Sequence, residues 1–263
     1  MMSSLKDSNR EDTISKLVEL SNWLGAPEQD CAILGEGNTS AVISESTFLV
    51  KASGTCLGTL DKKGFVEVDT ARALAMLDQP LDDHQVRDGL IAAKVNPDDP
   101  RMPSVETSLH AVCLSVEGIS FVGHTHPTAI NAIACSRQFR ESMEARLFPD
   151  EVVVCGANPL LIPYVDPGIE LAKVVQTGLA EFISQHGTHP KTIYLQNHGF
   201  IALGNSIKQV KAITEMAVKS ARIRVGAQQF GGVNPMSLAD VERINNRLDE
   251  HYRQKIIDQH NKS

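Results

Sequence analysis

A short apolar run, Phe121-Val122-Gly123, leads directly into His124-Thr125-His126-Pro127. In extended backbone alternate side chains point to the same face. The two imidazoles of a His-x-His pair can therefore reach one ion, and neutral imidazole is a good ligand for Zn2+ and its neighbours in the first transition row. A third histidine, His198 in Gln196-Asn197-His198-Gly199, follows another apolar run, Thr192 to Leu195. Strand ends and tight turns are where functional side chains are presented, although a turn histidine bonded to local backbone fits the same pattern. Glu106, in Pro103-Ser104-Val105-Glu106, falls in the first turn of a helix for which Ser104 is the natural N-cap. The helix dipole favours a carboxylate there whatever its task. His110, one turn on, shares the face of Glu106 and reads as a core histidine rather than as its partner.

Two glycine-containing loops come earlier. Gly35-Glu36-Gly37-Asn38-Thr39-Ser40 resembles the start of a dinucleotide-binding fingerprint, but Ser40 stands where the final glycine belongs and a strand-like run follows instead of a helix. Lys51-Ala52-Ser53-Gly54-Thr55 adds hydroxyls, backbone amides and one cation. Together the two loops hold the ingredients of an anion nest, or form two hairpin turns.

The elements that must position these residues follow from periodicity. Ile14, Leu17, Val18, Leu20 and Leu24 recur at helical spacing, and Gly25 and Pro27 supply a stop. Cys31 to Leu34, Ala41 to Ser44, Thr47 to Ala52 and Gly64 to Val68 read as meander strands. Asp69 to Leu77 reads as a helix, and the stretch from 78 to 103 as an irregular insertion around a short helix near 84 to 94. A helix runs from Ser104 to about Ser115, a strand from Ile119 to Gly123, and Pro127 opens the next helix in its first turn. Glu151 to Cys155 reads as an apolar strand and Gly168 to Gln185 as a helix. Thr192 to Gln196 and Phe200 to Leu203 flank a turn. Ser206 to Gln228 and Ser237 to Asp258 read as long helices. The mixture implies an α/β chain with helices covering a mixed or antiparallel sheet.

Composition sets the bounds. With 263 residues, 42% hydrophobic and 22% charged, the chain has enough apolar content for a sizeable core. Its 25 basic and 32 acidic residues give a net charge of -7 and no long basic run, which excludes a phosphate-backbone track for nucleic acid. Five scattered cysteines without a CxxC argue against a disulfide framework and for a reducing compartment. No stretch reaches the roughly 18 apolar residues of a spanning helix, and the first residues lack the apolar region of a leader. A cytoplasmic protein without membrane contact is expected. Motifs from 37 to 199 that serve one site argue for one domain over 1–263, with a core of about 12–228 and a C-terminal helical extension of about 229–258.

Gly-Asn-Thr-Ser at 37–40, Lys-Ala-Ser-Gly at 51–54, Pro-Ser-Val-Glu at 103–106, His-Thr-His-Pro at 124–127 and Asn-His-Gly at 197–199 occur in that order. The set resembles the class II aldolase/adducin family, in particular its fuculose-phosphate aldolase and ribulose-phosphate 4-epimerase group. The resemblance implies a three-layer α/β/α domain with a central, largely antiparallel sheet, and a homotetramer with active sites at subunit interfaces. It implies that His124, His126 and His198 hold Zn2+, with Mn2+ or Co2+ as alternatives. Glu106 would be the acid/base that can also occupy a metal position, and Asn38, Ser53, Gly54 and Ser104 would cradle a substrate phosphate. Where the sugar-phosphate aldolases often carry a second serine, this chain has Val105. Tyr164, in Pro163-Tyr164-Val165-Asp166, is the candidate for the aldehyde end of the substrate, reached from a neighbouring subunit. Tyr194 and Tyr252 read as structural and as lying on the polar last helix.

The constellation also makes chemical sense by itself. Three neutral histidines leave a dication open to a hydroxy-ketone, whose enediolate it stabilises as a Lewis acid. Glu106 would move the proton, its pKa raised toward working pH by apolar surroundings. The function expected is a metal-dependent lyase of carbohydrate metabolism, cleaving a carbon–carbon bond of a ketose or ketose phosphate by retro-aldol chemistry. A decarboxylase or 4-epimerase acting on a small sugar-acid phosphate or pentulose phosphate is the alternative, and a non-catalytic adducin-like scaffold a further one. A metal hydrolase would continue His-x-His with an Asp-His pair, and a cupin would place a Glu within Thr128 to Ala132; the chain does neither.

Overall fold

The computed structural model describes residues 2–247, with side chains from Arg10 onward. Tyr252 and the extension beyond 247 lie outside the described residues. The chain opens with helix α1 (Met2–Leu24), which buries Leu17, Leu20 and Leu24, and continues into strands β1 (Asn38–Val42), β2 (Thr47–Lys51) and β3 (Phe65–Asp69). Helices α2 (Thr70–Ala75), α3 (Asp83–Ala93) and α4 (Thr107–Leu114) follow, then β4 (Phe121–Thr125). Helices α5 (Thr128–Ala134), α6 (Phe139–Glu144) and α7 (Pro149–Cys155) lead to the short strand β5 (Leu160–Ile162). After α8 (Ile169–His186) come β6 (Thr192–Leu195), β7 (Gly199–Gly204), α9 (Ile207–Ala227) and α10 (Leu238–Asn245).

The seven strands form one sheet in the order β3-β2-β1-β4-β7-β6-β5. Every neighbouring pair is antiparallel except β5 with β6. The period-2 alternation of strands splits their side chains between two cores. Phe48, Val50, Val66, Val122, Ile193 and Leu203 pack on one face beneath α2, α3, α4 and α8. Ala41, Leu49, Tyr194, Phe200 and Ala202 pack on the other beneath α1, α5 and α9. This is the three-layer α/β/α arrangement the sequence implied. No helix among the described residues is long and apolar enough to cross a membrane.

Local signals explain most boundaries. Asp82 and Gln85 cap α3 reciprocally, Asp82 accepting from the Gln85 amide and Gln85 from the Asp82 amide. Ser206 caps α9, which buries Val210, Ile213, Ala217 and Ala221 on one stripe.

Other expectations need correcting. Residues 151–155 belong to helix α7, not to a strand. Pro149 stands at its first turn, and the run Val152-Val153-Val154 is too short for periodicity to separate the two states. Residues 31–34 form no strand; Leu34 turns there with φ of 52°. Pro127 precedes α5 instead of starting it. Helix α4 begins at Thr107, so Glu106 sits at the N-cap position and Ser104 lies before the helix without capping it. The insertion at 78–103 does contain the expected helix, α3, and runs on as the segment bridging Pro103 to Ala52.

Candidate functional site

The end of β4 and the starts of β1 and β7 lie side by side at the centre of the sheet. Asn38 pairs across from His124, and Thr125 from Phe200. His124 therefore projects from the face covered by α4, and Glu106, at the start of α4, meets it there. His126 follows at the strand end. His198 comes in from the β6–β7 turn, where Asn197 adopts φ of 53° and its amide donates to Ala134 O. Asn tolerates this left-handed conformation better than most residues. Asn131 Nδ2 donates to His198 O at 3.0 Å, tying the turn to α5.

The three imidazole rings stand edge to face with centroids 4.9 to 5.0 Å apart. Their nearest ligand nitrogens lie within 4.8 Å of one another, and His124 Nε2 is 3.3 Å from His126 Nε2. Two nitrogens bound to one tetrahedral ion at about 2.0–2.1 Å stand about 3.3 Å apart, so the spacing suits a common metal. His124 Nδ1 donates to Phe200 O at 3.1 Å, which turns Nε2, the nitrogen that would ligate an ion, into the cluster. The close approach depends on Gly199: a Cβ there would lie 2.7 Å from His126 Cδ2 and 2.6 Å from Thr125 O.

Glu106 closes the cluster. Its Oε2 is 3.3 Å from His124 Nε2 and accepts from Asn38 Nδ2 at 2.8 Å; its Oε1 is 3.5 Å from His198 Nε2. The carboxylate is buried, and Oε1 accepts no hydrogen bond. A buried carboxylate oxygen without a partner is costly unless a cation or proton completes it, which is a second reason to place a metal here.

The electrostatics correct one expectation. Burial would raise the Glu106 pKa, but His124, His198 and the Asn38 amide outweigh it and hold the carboxyl well below the usual range. The sequence registered the apolar surroundings but not the imidazoles and the amide within them. Burial disfavours charge on His124 as well, yet Glu106 keeps its pKa above the ordinary imidazole value. Burial, and then the field of His124, bring both His126 and His198 down to about 4, so both are neutral donors near pH 7.

The remaining expected residues are distributed as follows. Ala52 bridges Pro103, Ser53 N donates to Met102 O and Ser104 N to Lys51 O, so Ser53 and Gly54 lie beside Ser104. Asn38 Nδ2 reaches Ser104 Oγ at 3.1 Å as well as Glu106, so both its hydrogens are directed inward. Lys51 is buried, with Nζ donating to Gly35 O and Thr55 O, and burial lowers its pKa. It ties the two glycine loops together. Tyr164 lies on the β5–α8 loop, 54% exposed, its hydroxyl donating to Asp166 Oδ1 at 3.0 Å, while Gly168 on the same loop faces Val105 O. Tyr194 is buried against Phe200.

The favoured reading of His110 as a core histidine needs extending, and Glu36 was not singled out as a site residue. His110 is hydrogen-bonded to both Asn38 and Ser40, so it partners the site as well as the core. Glu36 Oε1 approaches His126 Nδ1 to 3.9 Å; its place in the first glycine loop was the available signal. Glu36, His126 and Asn131 line a cavity of about 360 Å³. A larger groove of about 650 Å³ runs along β5 and α8 but contains none of the clustered residues. The chemistry, not the size, identifies the site.

Comparison with known proteins agrees with this fold. The family described as "Class II Aldolase and Adducin N-terminal domain" matches residues 15–225. An uncharacterized oxidoreductase, YuxG of Bacillus subtilis, is 29% identical over 92% of the chain, which spans about a third (35%) of that protein's length. A 3-oxo-tetronate 4-phosphate decarboxylase of Escherichia coli is 24% identical over 71% of the chain and 74% of its own length. Among solved structures, the N-terminal class II aldolase domain of a conserved protein from Thermoplasma acidophilum superposes with a TM-score of 0.63 at 28% identity, covering 81% of this chain and 93% of that one.

Proposed function

The chain belongs to the class II aldolase and adducin family, and on that premise we propose that it is a metal-dependent carbon–carbon lyase acting on a ketose or ketose phosphate. The observation that carries the reading is the convergence of His124, His126 and His198 on Glu106, whose buried Oε1 has no hydrogen-bond partner. A scaffold protein has no use for that arrangement. Zn2+ suits three imidazoles with a carboxylate oxygen, and Mn2+ or Co2+ are the alternatives. When bound, the ion supplies Lewis-acid stabilisation of the negative charge that gathers on a substrate's carbonyl oxygen as a bond to the adjacent carbon breaks.

The chain's own groups would do the rest. His124 is aimed by its bond to Phe200 O. Asn38 occupies Glu106 Oε2 and leaves Oε1 as the oxygen that holds or moves a proton. In the cleavage direction the ionised Glu106 would accept the β-hydroxyl proton, the carbon–carbon bond breaks with its electron pair passing to the ketone side, and Glu106 returns that proton to the carbon left behind. In synthesis the same oxygen acts as the base. Ser53, Gly54 and Ser104, backed by Asn38, would hold an anionic substrate group. Exposed Tyr164 is the candidate for the aldehyde end of a neighbouring subunit's site in a homotetramer.

A second reading rests on the decarboxylase relative. Loss of carbon dioxide from a 3-oxo acid leaves the same electron pair beside the same carbonyl and needs the same proton from Glu106. One screen separates the two: the protein is incubated with Zn2+, Mn2+ or Co2+ and with ketose 1-phosphates, 3-oxo-tetronate phosphates or unphosphorylated ketoses. An aldehyde product supports the lyase of the aldol type and carbon dioxide supports the decarboxylase. Turnover of none of them with any of these ions rejects both.

A further inference from the structure

Behind Glu106 lies a second polar layer that the reaction does not itself require. Asn38, Ser40 and His110 are all buried between β1 and α4. His110 Nε2 meets Asn38 Oδ1 in a short hydrogen bond, and His110 Nδ1 meets Ser40 Oγ at 2.6 Å. Asn38 Nδ2 then donates to Glu106 Oε2 at 2.8 Å and to Ser104 Oγ at 3.1 Å. The match is geometric. Four residues of helix rise about 6 Å and two residues of strand about 6.6 Å, so Glu106 at the N-cap of α4 and His110 within it can face Asn38 and Ser40 on β1 in register.

We propose that His110 is a positioning residue for the reaction, its proton on Nε2 fixing the Asn38 amide so that Glu106 and Ser104 each receive a donor. The direction of every bond follows from what each group can do. An amide oxygen only accepts, so His110 Nε2 donates, and Nδ1 accepts from the Ser40 hydroxyl. With the Asn38 amide turned over, its oxygen would face the Glu106 carboxylate oxygen and its nitrogen the ring's N–H, and both contacts would repel. Burial first, and the field of His124 second, bring the His110 pKa down to about 3, so no second proton disturbs this arrangement near neutrality.

Two consequences reach the site. Glu106 Oε2 is committed to Asn38, which leaves the unpartnered Oε1 for proton transfer. Ser104 Oγ accepts from Asn38 Nδ2 and, at 3.3 Å, from the Glu106 amide, so both lone pairs are taken and its hydroxyl hydrogen is left to donate to an anionic substrate group. The inference rests on the proposed roles of Glu106 and Ser104. It differs from an ordinary core histidine, which would stabilise the fold without setting the polarity of its neighbours.

The test uses the full-length, Zn2+-loaded protein. Neutron diffraction from deuterated crystals should place a deuteron on His110 Nε2 and none on Nδ1. Crystal structures of His110→Phe and His110→Gln should differ: Phe releases the Asn38 amide from Glu106, whereas Gln, with an N–H at the reach of Nε2, retains it. Zn2+ affinity should fall about 10- to 100-fold in His110→Phe and stay within about threefold of wild type in His110→Gln, as expected for outer-shell partners of a metal site. A deuteron on Nδ1, or an unchanged Asn38–Glu106 bond and Zn2+ affinity in His110→Phe, overturns the proposal. If His110→Phe does not fold, the wild-type deuteron and His110→Gln decide. A wild type that turns over no probe substrate would reject the proposed function, while the deuteron position still judges the relay.

Discussion

Gly199 and His126 are packed so closely that a single methyl group separates the native arrangement from a clash: a Cβ on residue 199 would lie 2.7 Å from His126 Cδ2. The glycine follows the turn that delivers His198 and starts the strand paired to His124, and a Cβ there would also lie 3.3 Å from His124 Cε1. Its backbone φ is not in the left-handed region, and the requirement is one of space.

Gly199→Ala should therefore fold but lose metal. By analogy with outer-shell substitutions, Zn2+ affinity should drop about 10- to 100-fold, measured by competition with a chromophoric chelator. Native affinity in a variant with unchanged secondary structure would show that the cluster does not depend on this approach.

Glu106→Gln should bind Zn2+ through the three histidines yet fail in proton transfer. Removing a positioned acid/base costs about 10²- to 10⁴-fold, read as exchange of substrate carbon-bound hydrogen with deuterated water. Unchanged exchange would take Glu106 out of the mechanism.

Away from the site, Glu151 is buried between Arg146 at 3.3 Å and Arg224 at 3.0 Å, with Ser220 and the Leu147 amide on its oxygens. Burial opposes ionisation, but the two guanidiniums hold its pKa below the ordinary value of 4.5. A carboxylate with a depressed folded pKa stabilises the protein above its unfolded pKa and loses that contribution as pH falls through the folded value. Glu151→Gln should thus be less stable by about 3–5 kcal/mol at pH 7, the cost of breaking a buried pair. The gap to wild type should narrow as pH drops below 4.5, seen in urea unfolding at pH 7 and at successively lower pH. A gap that stays constant would mean that Glu151 carries no charge in the folded protein.

The cluster was largely legible in the sequence. His124 and His126 sit two apart at a strand end, where period 2 sends both side chains one way, and Asn197-His198-Gly199 is a turn by composition. Residues whose state depends on distant partners were not legible. The Val152-Val153-Val154 run fits strand or helix alike, and packing against α9 decides for helix α7. The lowered pKa of Glu106 needs His124 and His198, far away in the chain, at 3.3 and 3.5 Å. The task of His110 depends on the register between α4 and β1, which no local pattern encodes.

The central claim is that His124, His126 and His198 hold one ion against Glu106, and metal stoichiometry tests it most directly. Elemental analysis of protein dialysed against Zn2+ and then desalted should give about one ion per chain for wild type, as a three-histidine site predicts. His124→Ala and His198→Ala should each reduce this to background and abolish the rise in melting temperature that Zn2+ gives the wild type. Stoichiometric metal in both variants, or none in the wild type, would contradict it.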